Sequence, residues 1–230
     1  NHRYWFYLAQ SYFDSQQFDN AMEAYQTRAE KGGWEEEVYY SLFRVAICSV
    51  LKEDPWEKIQ QYFLDAYAYR PIRAEPLHQL SRLYRGAGKF NHAYLFAKQA
   101  AAIPYPKHDI LFISDDVYRW QALDEFVSTA FYCHDFTDGR NAAMHLLQNN
   151  LIPESEKARI EQNLKHYDEA LAKQEQGQQN DALVKNQSDV LHRMESAKEK
   201  REKKEQRRNK IKKSTKANST KNKYKKRQKK

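Results

Sequence analysis

The chain has 230 residues, of which 13% are aromatic and 30% are charged, and its mean hydropathy is −1.00. The charge is divided unevenly, because residues 172–230 carry a net charge of +14 and residues 1–171 a net charge of −6. The aromatic content excludes a wholly disordered chain, and no apolar run approaches the ~20 residues of a membrane span. The sequence predicts a soluble, cytoplasmic protein, with Cys48 and Cys133 as buried thiols in a reducing compartment.

Residues 1–171 have apolar residues at helical spacing, which predicts an all-α fold. A pattern of large and small residues near the start of the chain recurs 72 residues later. The first copy comprises Trp5, Leu8, Ala9, Tyr12, Phe18, Ala21, Tyr25 and Arg28, and the second comprises Leu77, Leu80, Ser81, Tyr84, Phe90, Ala93, Ala97 and Ala100. A helix pair over Val38–Leu51 and Pro55–Tyr69 fits between the copies, so the period holds two units of about 36 residues. Because the first residue is not Met and already lies in this pattern, we expect either a fragment of a longer protein or a partial gene model.

A fourth unit follows the third at an offset of 46 residues. It comprises Leu123, Phe126, Val127, Ala130, Phe136, Gly139, Ala143 and Leu146. The spacing resembles that of the tetratricopeptide repeat, in which small residues let two helices approach closely. Pro71 and Pro104 close units two and three, whereas Ala9 and Ser81 replace the usual Gly and Ile59 makes unit two irregular. The sequence therefore predicts an α-solenoid of about four tetratricopeptide-like helix pairs over residues 1–171.

A capping helix is expected after Pro153, starting at Glu154. Its apolar side would consist of Ala158, Ile160, Leu164, Tyr167 and Leu171. Residues 172–230 form a low-complexity tail rich in Lys and Arg, predicted to be disordered or a single helix, with a weak amphipathic stretch that allows a coiled coil. Its charge predicts nonspecific binding to nucleic acid or an anionic surface, although a solubilising extension has the same composition.

Motifs for catalysis are missing from the sequence, which has no Gly-rich phosphate loop, nucleophile elbow or cysteine-pair metal site. We therefore predict no catalytic residue, no metal ligand and no cofactor in this chain. The nearest candidates are the pairs Asp115–Asp116 and His134–Asp135. Structural roles are favoured for both, with Ser114 or Asp115 capping a helix that starts near Val117 and with His134–Asp135 in an inter-helix turn.

Repeats of this kind bind ligands along the face formed by their first helices. The candidate binding residues are Arg3, Tyr7, Arg44, Arg82, Tyr118 and Arg119, on first helices or at their starts, and Arg70 and Arg73, which flank the proline that closes unit two. The alternative for the aromatic residues, including Trp34, Trp56 and Trp120, is packing between repeats, and exposed arginines are more often simply solvated.

Five blocks of residues also resemble a more specific family. They are residues 3–12, 32–42, 69–77, 102–106 and 111–120. In this order they are similar to the helical region that follows the catalytic domain in bacterial and giant-virus family 2 glycosyltransferases, and the resemblance spans about residues 3–165. The family's sugar transfer, with its divalent metal, belongs to an upstream α/β domain that has no counterpart here. The resemblance therefore implies no catalytic residue in this chain.

Three functions remain open from the sequence. The first is a noncatalytic accessory module of a family 2 glycosyltransferase, which would position an acceptor for a catalytic domain in cis or in trans. The second is a stand-alone scaffold that binds a peptide segment of another protein. The third is a basic-tailed protein associated with nucleic acid or ribonucleoprotein. An upstream reading frame for an α/β domain would select the first, and its absence would favour the second.

Overall fold

A computed structural model of the chain describes the backbone of residues 1–227 and the side chains of residues 1–196, 198–200 and 203. The first eight α-helices are α1 His2–Asp14, α2 Phe18–Glu30, α3 Glu35–Leu51, α4 Trp56–Tyr69, α5 Glu75–Gly86, α6 Phe90–Ala102, α7 Ala122–Ala130 and α8 Phe136–Gln148. A π-helical turn, Val117–Gln121, leads into α7, and a 3₁₀ turn, Phe131–Cys133, follows it. The last helix, α9, is Glu154–Arg227.

The helices pack in successive antiparallel pairs, α1 with α2, α3 with α4, α5 with α6 and α7 with α8. This arrangement confirms the predicted all-α solenoid of four tetratricopeptide-like helix pairs. Helices α3 and α4 begin at Glu35 and Trp56, close to the predicted Val38 and Pro55, and end at the predicted residues. Two glycines reverse the chain between the first two pairs, since Gly32 and Gly33 have φ values of 62° and 91°, which other residues rarely adopt.

Small residues lie where the two helices of a unit approach each other. Ala9 and Ala21 are fully buried between α1 and α2, and Ala93 is fully buried between α5 and α6. The hydroxyl of Ser81 donates to the carbonyl oxygen of Ala93 at 2.9 Å, which satisfies a polar group inside this contact. The small residues of the predicted repeat pattern therefore lie at the close contacts between paired helices.

The chain divides into two units, Asn1–Leu171 and Ala172–Lys230. In the first unit, the start of α9 covers the last helix pair as expected, because Ile160 and Tyr167 are buried in the core with α7 and α8. Leu164 and Leu171 are half-buried, whereas Ala158 is exposed and does not contribute to the predicted apolar side.

In the second unit the described backbone is a single helix. The apolar residues of its weak amphipathic stretch, such as Leu183 and Val184, are exposed, and the described residues of this unit give no support for a coiled coil. The side chains of residues 204–230, which include most of the Lys-rich and Arg-rich runs, lie outside the described part of the chain.

Two further local expectations were wrong. Neither Ser114 nor Asp115 caps the next helix through its side chain: Val117 donates its backbone N–H to the Ser114 carbonyl, and the Asp115 carboxylate accepts from the hydroxyl of Tyr105. Cys133 is only partly buried, because it lies in the exposed turn before α8, whereas Cys48 is fully buried as expected.

Candidate functional site

The first helices of the four pairs, α1, α3, α5 and α7, form a surface that we call the first-helix face. A non-helical stretch that follows α6, residues 103–114, returns toward the N-terminal helices to contact α1 and α3, and we call it the bridging segment. Its contacts with α3 join residues that are more than 70 positions apart in the sequence. The N-terminal part of the first-helix face is therefore occupied by the chain itself.

Asp109 attaches the bridging segment to two arginines at the turn between α4 and α5. Arg70 donates from Nε and Nη2 to the two carboxylate oxygens at 2.8 and 2.5 Å, and Arg73 donates from Nη1 at 3.2 Å. Hydrogen bonds from Arg70 hold the pKa of Asp109 below its ordinary value, so the carboxylate stays ionised although it is almost fully buried.

The backbone of the bridging segment is bound by side chains. One carboxylate oxygen of Glu36 accepts from the N–H groups of Ile110 and Leu111, both at 2.7 Å. Arg73 donates from Nη1 to the carbonyl oxygen of Leu111 at 3.3 Å and from Nη2 to that of Phe112 at 3.0 Å. These contacts recognise a main chain, because neither depends on the side chain of the bound residue.

Glu75 fixes the arginine that makes those contacts. Its carboxylate accepts from Arg73, with Nη2 at 2.7 Å, and from the hydroxyl of Tyr118 at 2.6 Å. The Tyr118 hydroxyl in turn accepts the backbone N–H of Ala74 at 3.0 Å. Burial of Tyr118 beside this carboxylate raises the pKa of the phenol well above its ordinary value, so it remains a hydrogen-bond donor.

Phe112 adds an aromatic contact to this polar attachment. Its ring centroid lies 4.6 Å from that of Tyr40 on α3 and 6.3 Å from that of Phe6 on α1. The backbone at Phe112 has a φ of 46°, in the left-handed region that non-glycine residues seldom occupy. The ring is nevertheless half exposed, so this contact covers only part of the side chain.

Farther along, the first-helix face is open between α5, α7 and the start of α9. A polar cavity of about 420 Å³ is lined by residues that include His78, Arg82, Trp120 and Gln121. An adjoining aromatic cavity of about 550 Å³ is lined by residues that include Phe90, Phe131, Tyr132 and Asn163. Arg85, Ser128 and Arg159 line both cavities, which together we call the open groove.

The eight predicted binding residues have different positions. Arg70, Arg73 and Tyr118 bind the bridging segment or its supports, and Arg82 lines the open groove. The guanidinium group of Arg44 lies 3.4 Å from the ring centroid of Phe13. Arg3, Tyr7 and Arg119 are exposed on the surface, and the structure does not bring them into either site.

Sequence reasoning missed Glu36, Glu75, His78 and Asp109. The two glutamates lie in the first turns of α3 and α5, where acidic residues commonly complement the helix dipole, so nothing local distinguishes them. His78 has one signal, since it stands one position after Leu77 of the repeat pattern on a first helix. Asp109 belongs to a connection for which the repeat makes no prediction.

Two further findings concern the described residues alone. Their side chains include no group of three or more His, Cys, Asp and Glu residues that could hold a metal ion. None of the helices traced through residue 227 combines the length and the hydropathy that a membrane crossing requires.

Comparison with known proteins finds similarity among solved structures. No family model matches the sequence, and no curated protein is significantly similar to it. The chain is similar to a solved structure described as a putative kinesin light chain with nearly identical TPR-like repeats from Podosopora anserina. The likeness has a TM-score of 0.49 and 14% sequence identity, and it covers 77% of this chain and 90% of that chain. The assignment of paired helical repeats rests on the helices of this chain.

Proposed function

We propose that this chain is a protein-interaction scaffold that binds a non-helical peptide segment of a partner along its first-helix face. The observation that supports the proposal is the bridging segment. Part of the face already holds a non-helical stretch of polypeptide, with Glu36 accepting two backbone N–H groups and Arg73 donating to two backbone carbonyl groups. The open groove extends the same face with no such occupant among the described residues.

The open groove has the dimensions of a peptide site. Its two adjoining cavities run beside α7, whose nine residues span about 14 Å at a rise of ~1.5 Å per residue. An extended chain covers that length with about four residues at ~3.3 Å each. The groove therefore suits a short linear segment.

A peptide array tests this function. The labelled full chain would be applied to an array of random decapeptides, together with a Ser128→Trp variant that fills the junction of the two cavities. The matched control is Gln99→Trp, on the exposed side of the second helix α6. We expect a set of peptides that bind the unaltered chain and the control but not Ser128→Trp, with all three chains equally helical by circular dichroism. Binding that is unchanged by Ser128→Trp would contradict the proposal.

A second candidate function is the accessory role beside a family 2 glycosyltransferase catalytic domain, in cis or in trans. It is favoured by the five blocks of residues that resemble that family's helical region, including residues 69–77 and 111–120. These two blocks contain Arg70, Arg73 and Tyr118, which secure the bridging segment. The test is reconstitution with such a catalytic domain: the chain should change acceptor use and leave nucleotide-sugar binding unaltered.

A further inference from the structure

The charged groups of the open groove fall into two classes. Most of them are paired within the groove: Arg85 donates to both carboxylate oxygens of Glu125 at 2.8 Å, and Arg159 donates to both oxygens of Asp124 at 3.1 and 2.8 Å. Arg82 is exposed and forms no ion pair with any described side chain. Among the described side chains that line the groove, Arg82 is thus the cation that is available to a ligand.

Two buried polar atoms beside Arg82 also lack partners. His78 is 3% exposed, and its Nδ1 has no hydrogen bond in the described structure. The Nε1 of Trp120 is buried and likewise without a partner. A buried polar group without a hydrogen bond costs about 1 to 3 kcal/mol, so most native structures satisfy such groups. Both residues line the polar cavity together with Arg82.

The chemistry of these groups selects a hydrogen-bond acceptor with negative charge. The indole N–H of Trp120 can only donate, and the guanidinium of Arg82 can only donate. Burial lowers the pKa of His78 to about 4, so its imidazole is neutral at physiological pH and can complete the site without adding charge. A carboxylate can accept hydrogen bonds from both donors. Arg85 and Arg159, the paired arginines of the groove, each already bind a carboxylate.

The other cavity selects a different kind of group. Phe90 and Tyr132 stack with ring centroids 3.7 Å apart, and Phe131 lies beside them. Tyr132 is 54% exposed, so part of this aromatic surface is open to a ligand. An aromatic side chain gains most from such a surface, because ring pairs add about 0.5 to 1.5 kcal/mol to the area they bury.

We propose that the open groove binds an acidic peptide, with a carboxylate side chain at Arg82 and Trp120 and an aromatic side chain at Phe90 and Tyr132. This inference rests on the proposed peptide-binding function and specifies the partner's chemistry. The two ends of the groove lie at opposite ends of α7, which sets the acidic and aromatic residues about four positions apart in an extended ligand. The bridging segment shows the same pairing of groups within this chain, since Asp109 binds arginines and Phe112 binds aromatic rings.

Fluorescence polarisation with defined peptides tests the inference. The probe is fluorescein-labelled Gly-Asp-Ser-Ala-Ser-Phe-Gly with blocked ends, and its controls carry Asn in place of Asp or Ala in place of Phe. We expect the probe to bind the full chain about tenfold more tightly than either control, a difference worth about 1.4 kcal/mol. Equal affinity for all three peptides, or no binding at about 1 mM, would overturn the inference.

Variants of the chain locate the binding. Arg82→Gln should weaken the probe about tenfold and abolish its preference over the Asn peptide, because the neutral side chain no longer favours a carboxylate. Trp120→Phe keeps the ring and removes the N–H, and it should weaken the probe several-fold. Lys58→Gln, an exposed change on α4 that removes the same charge, should have no effect.

The outcomes separate this inference from the general function. If the random array yields peptides sensitive to Ser128→Trp while the probe shows no preference for Asp over Asn, the scaffold function stands and the acidic specificity fails. If no array peptide depends on Ser128, the groove is not a peptide site and both fail. Equal weakening by Lys58→Gln and Arg82→Gln would assign the binding to net charge and overturn the inference.

Discussion

The first-helix face is filled over α1 and α3 and open between α5, α7 and the start of α9. In the filled part, the groups that hold the bridging segment are paired: Glu36 binds two amides, Arg73 binds two carbonyl groups and Asp109 binds two guanidinium groups. In the open part, Arg82, His78 and Trp120 retain unused hydrogen-bonding groups. The side chains that bind the bridging segment are thus paired, whereas these three side chains of the open part keep hydrogen-bonding groups without a described partner.

The filled part shows how the repeats hold a segment of this chain. In the filled part, long charged side chains bind main-chain groups of the bridging segment, and the ring of Phe112 contacts two other aromatic rings. None of these contacts requires a helical or strand conformation of the bound segment. The contacts observed in the filled part can therefore be compared with those expected in the open part, and the comparison can be tested.

The largest expected effect comes from Arg73→Met, which breaks the filled part. Arg73 is 1% exposed, and its loss leaves Glu75 and Asp109 buried with fewer partners. Breaking a buried ion pair on one side costs about 3 to 5 kcal/mol. The free energy of unfolding, measured with urea, should fall by that amount, whereas Arg82→Met, the same change at an exposed position in the open part, should alter it by less than about 0.5 kcal/mol. Similar losses for both would remove the distinction between the two parts.

The next largest effect is a pH dependence from His78 in the open part. Burial lowers its pKa to about 4 from an ordinary value of 6.5. Above pH 6.5 the imidazole is neutral in both states and adds no slope. Below pH 6.5 the unfolded chain binds a proton before the folded chain does. The free energy of unfolding therefore decreases as the pH is lowered, by up to about 3 kcal/mol near pH 4.

Stability curves of a His78→Gln variant measure that contribution. The difference in unfolding free energy between the unaltered chain and the variant should shrink as the pH falls from 6.5 to 4. His192→Gln, at an exposed position in the second unit, is the control and should run parallel to the unaltered chain. A pH-independent difference for His78→Gln would mean that the buried imidazole is solvated in solution.

The repeat architecture could be predicted from sequence because it depends on local spacing. Small residues such as Ser81 and Ala93 recur at fixed intervals, and their spacing requires paired helices. The bridging segment could not be predicted, because Glu36 and Ile110 meet through a contact 74 residues apart. A glutamate in the first turn of a helix has an ordinary explanation, so only the folded chain identifies its partner.

The candidate site was predicted in part for the same reason. Arg70 and Arg73 were chosen because they flank the proline that closes unit two, and they do bind a peptide segment, but the segment belongs to this chain. Tyr118 was chosen for its place at the start of a first helix, and it binds the carboxylate that fixes Arg73. Arg82 was chosen because it lies on a first helix, and it forms no ion pair with a described side chain. Whether such a residue is saturated depends on where a connecting segment passes, which the repeat pattern does not specify.

A smaller effect, of about 1 to 3 kcal/mol from overpacking, is expected for Gly139→Ala at the cap of the last repeat, which forms one wall of the open part. A β-carbon at Gly139 would collide with the ring and hydroxyl of Tyr167, whose hydroxyl donates to the Val127 carbonyl at 2.5 Å. Gly86→Ala is the matched control, because a β-carbon there meets no other atom. Thermal unfolding should separate the two variants, and equal midpoints would contradict the close contact between α8 and α9.

The smallest effect distinguishes the two kinds of contact that hold the filled part. Phe112→Ala should cost about 1 kcal/mol, because the ring is half exposed and its gain is limited to its contacts with the rings of Tyr40 and Phe6. Ile110→Ala removes an 80% exposed side chain from the same segment and should change stability by less than about 0.5 kcal/mol. Hydrogen exchange gives the sharper measurement, since the amides of Ile110 and Leu111 bind Glu36 and should stay protected in both variants. Rapid exchange of these amides in Phe112→Ala would show that the aromatic contact, rather than the charged side chains, keeps the segment on the face.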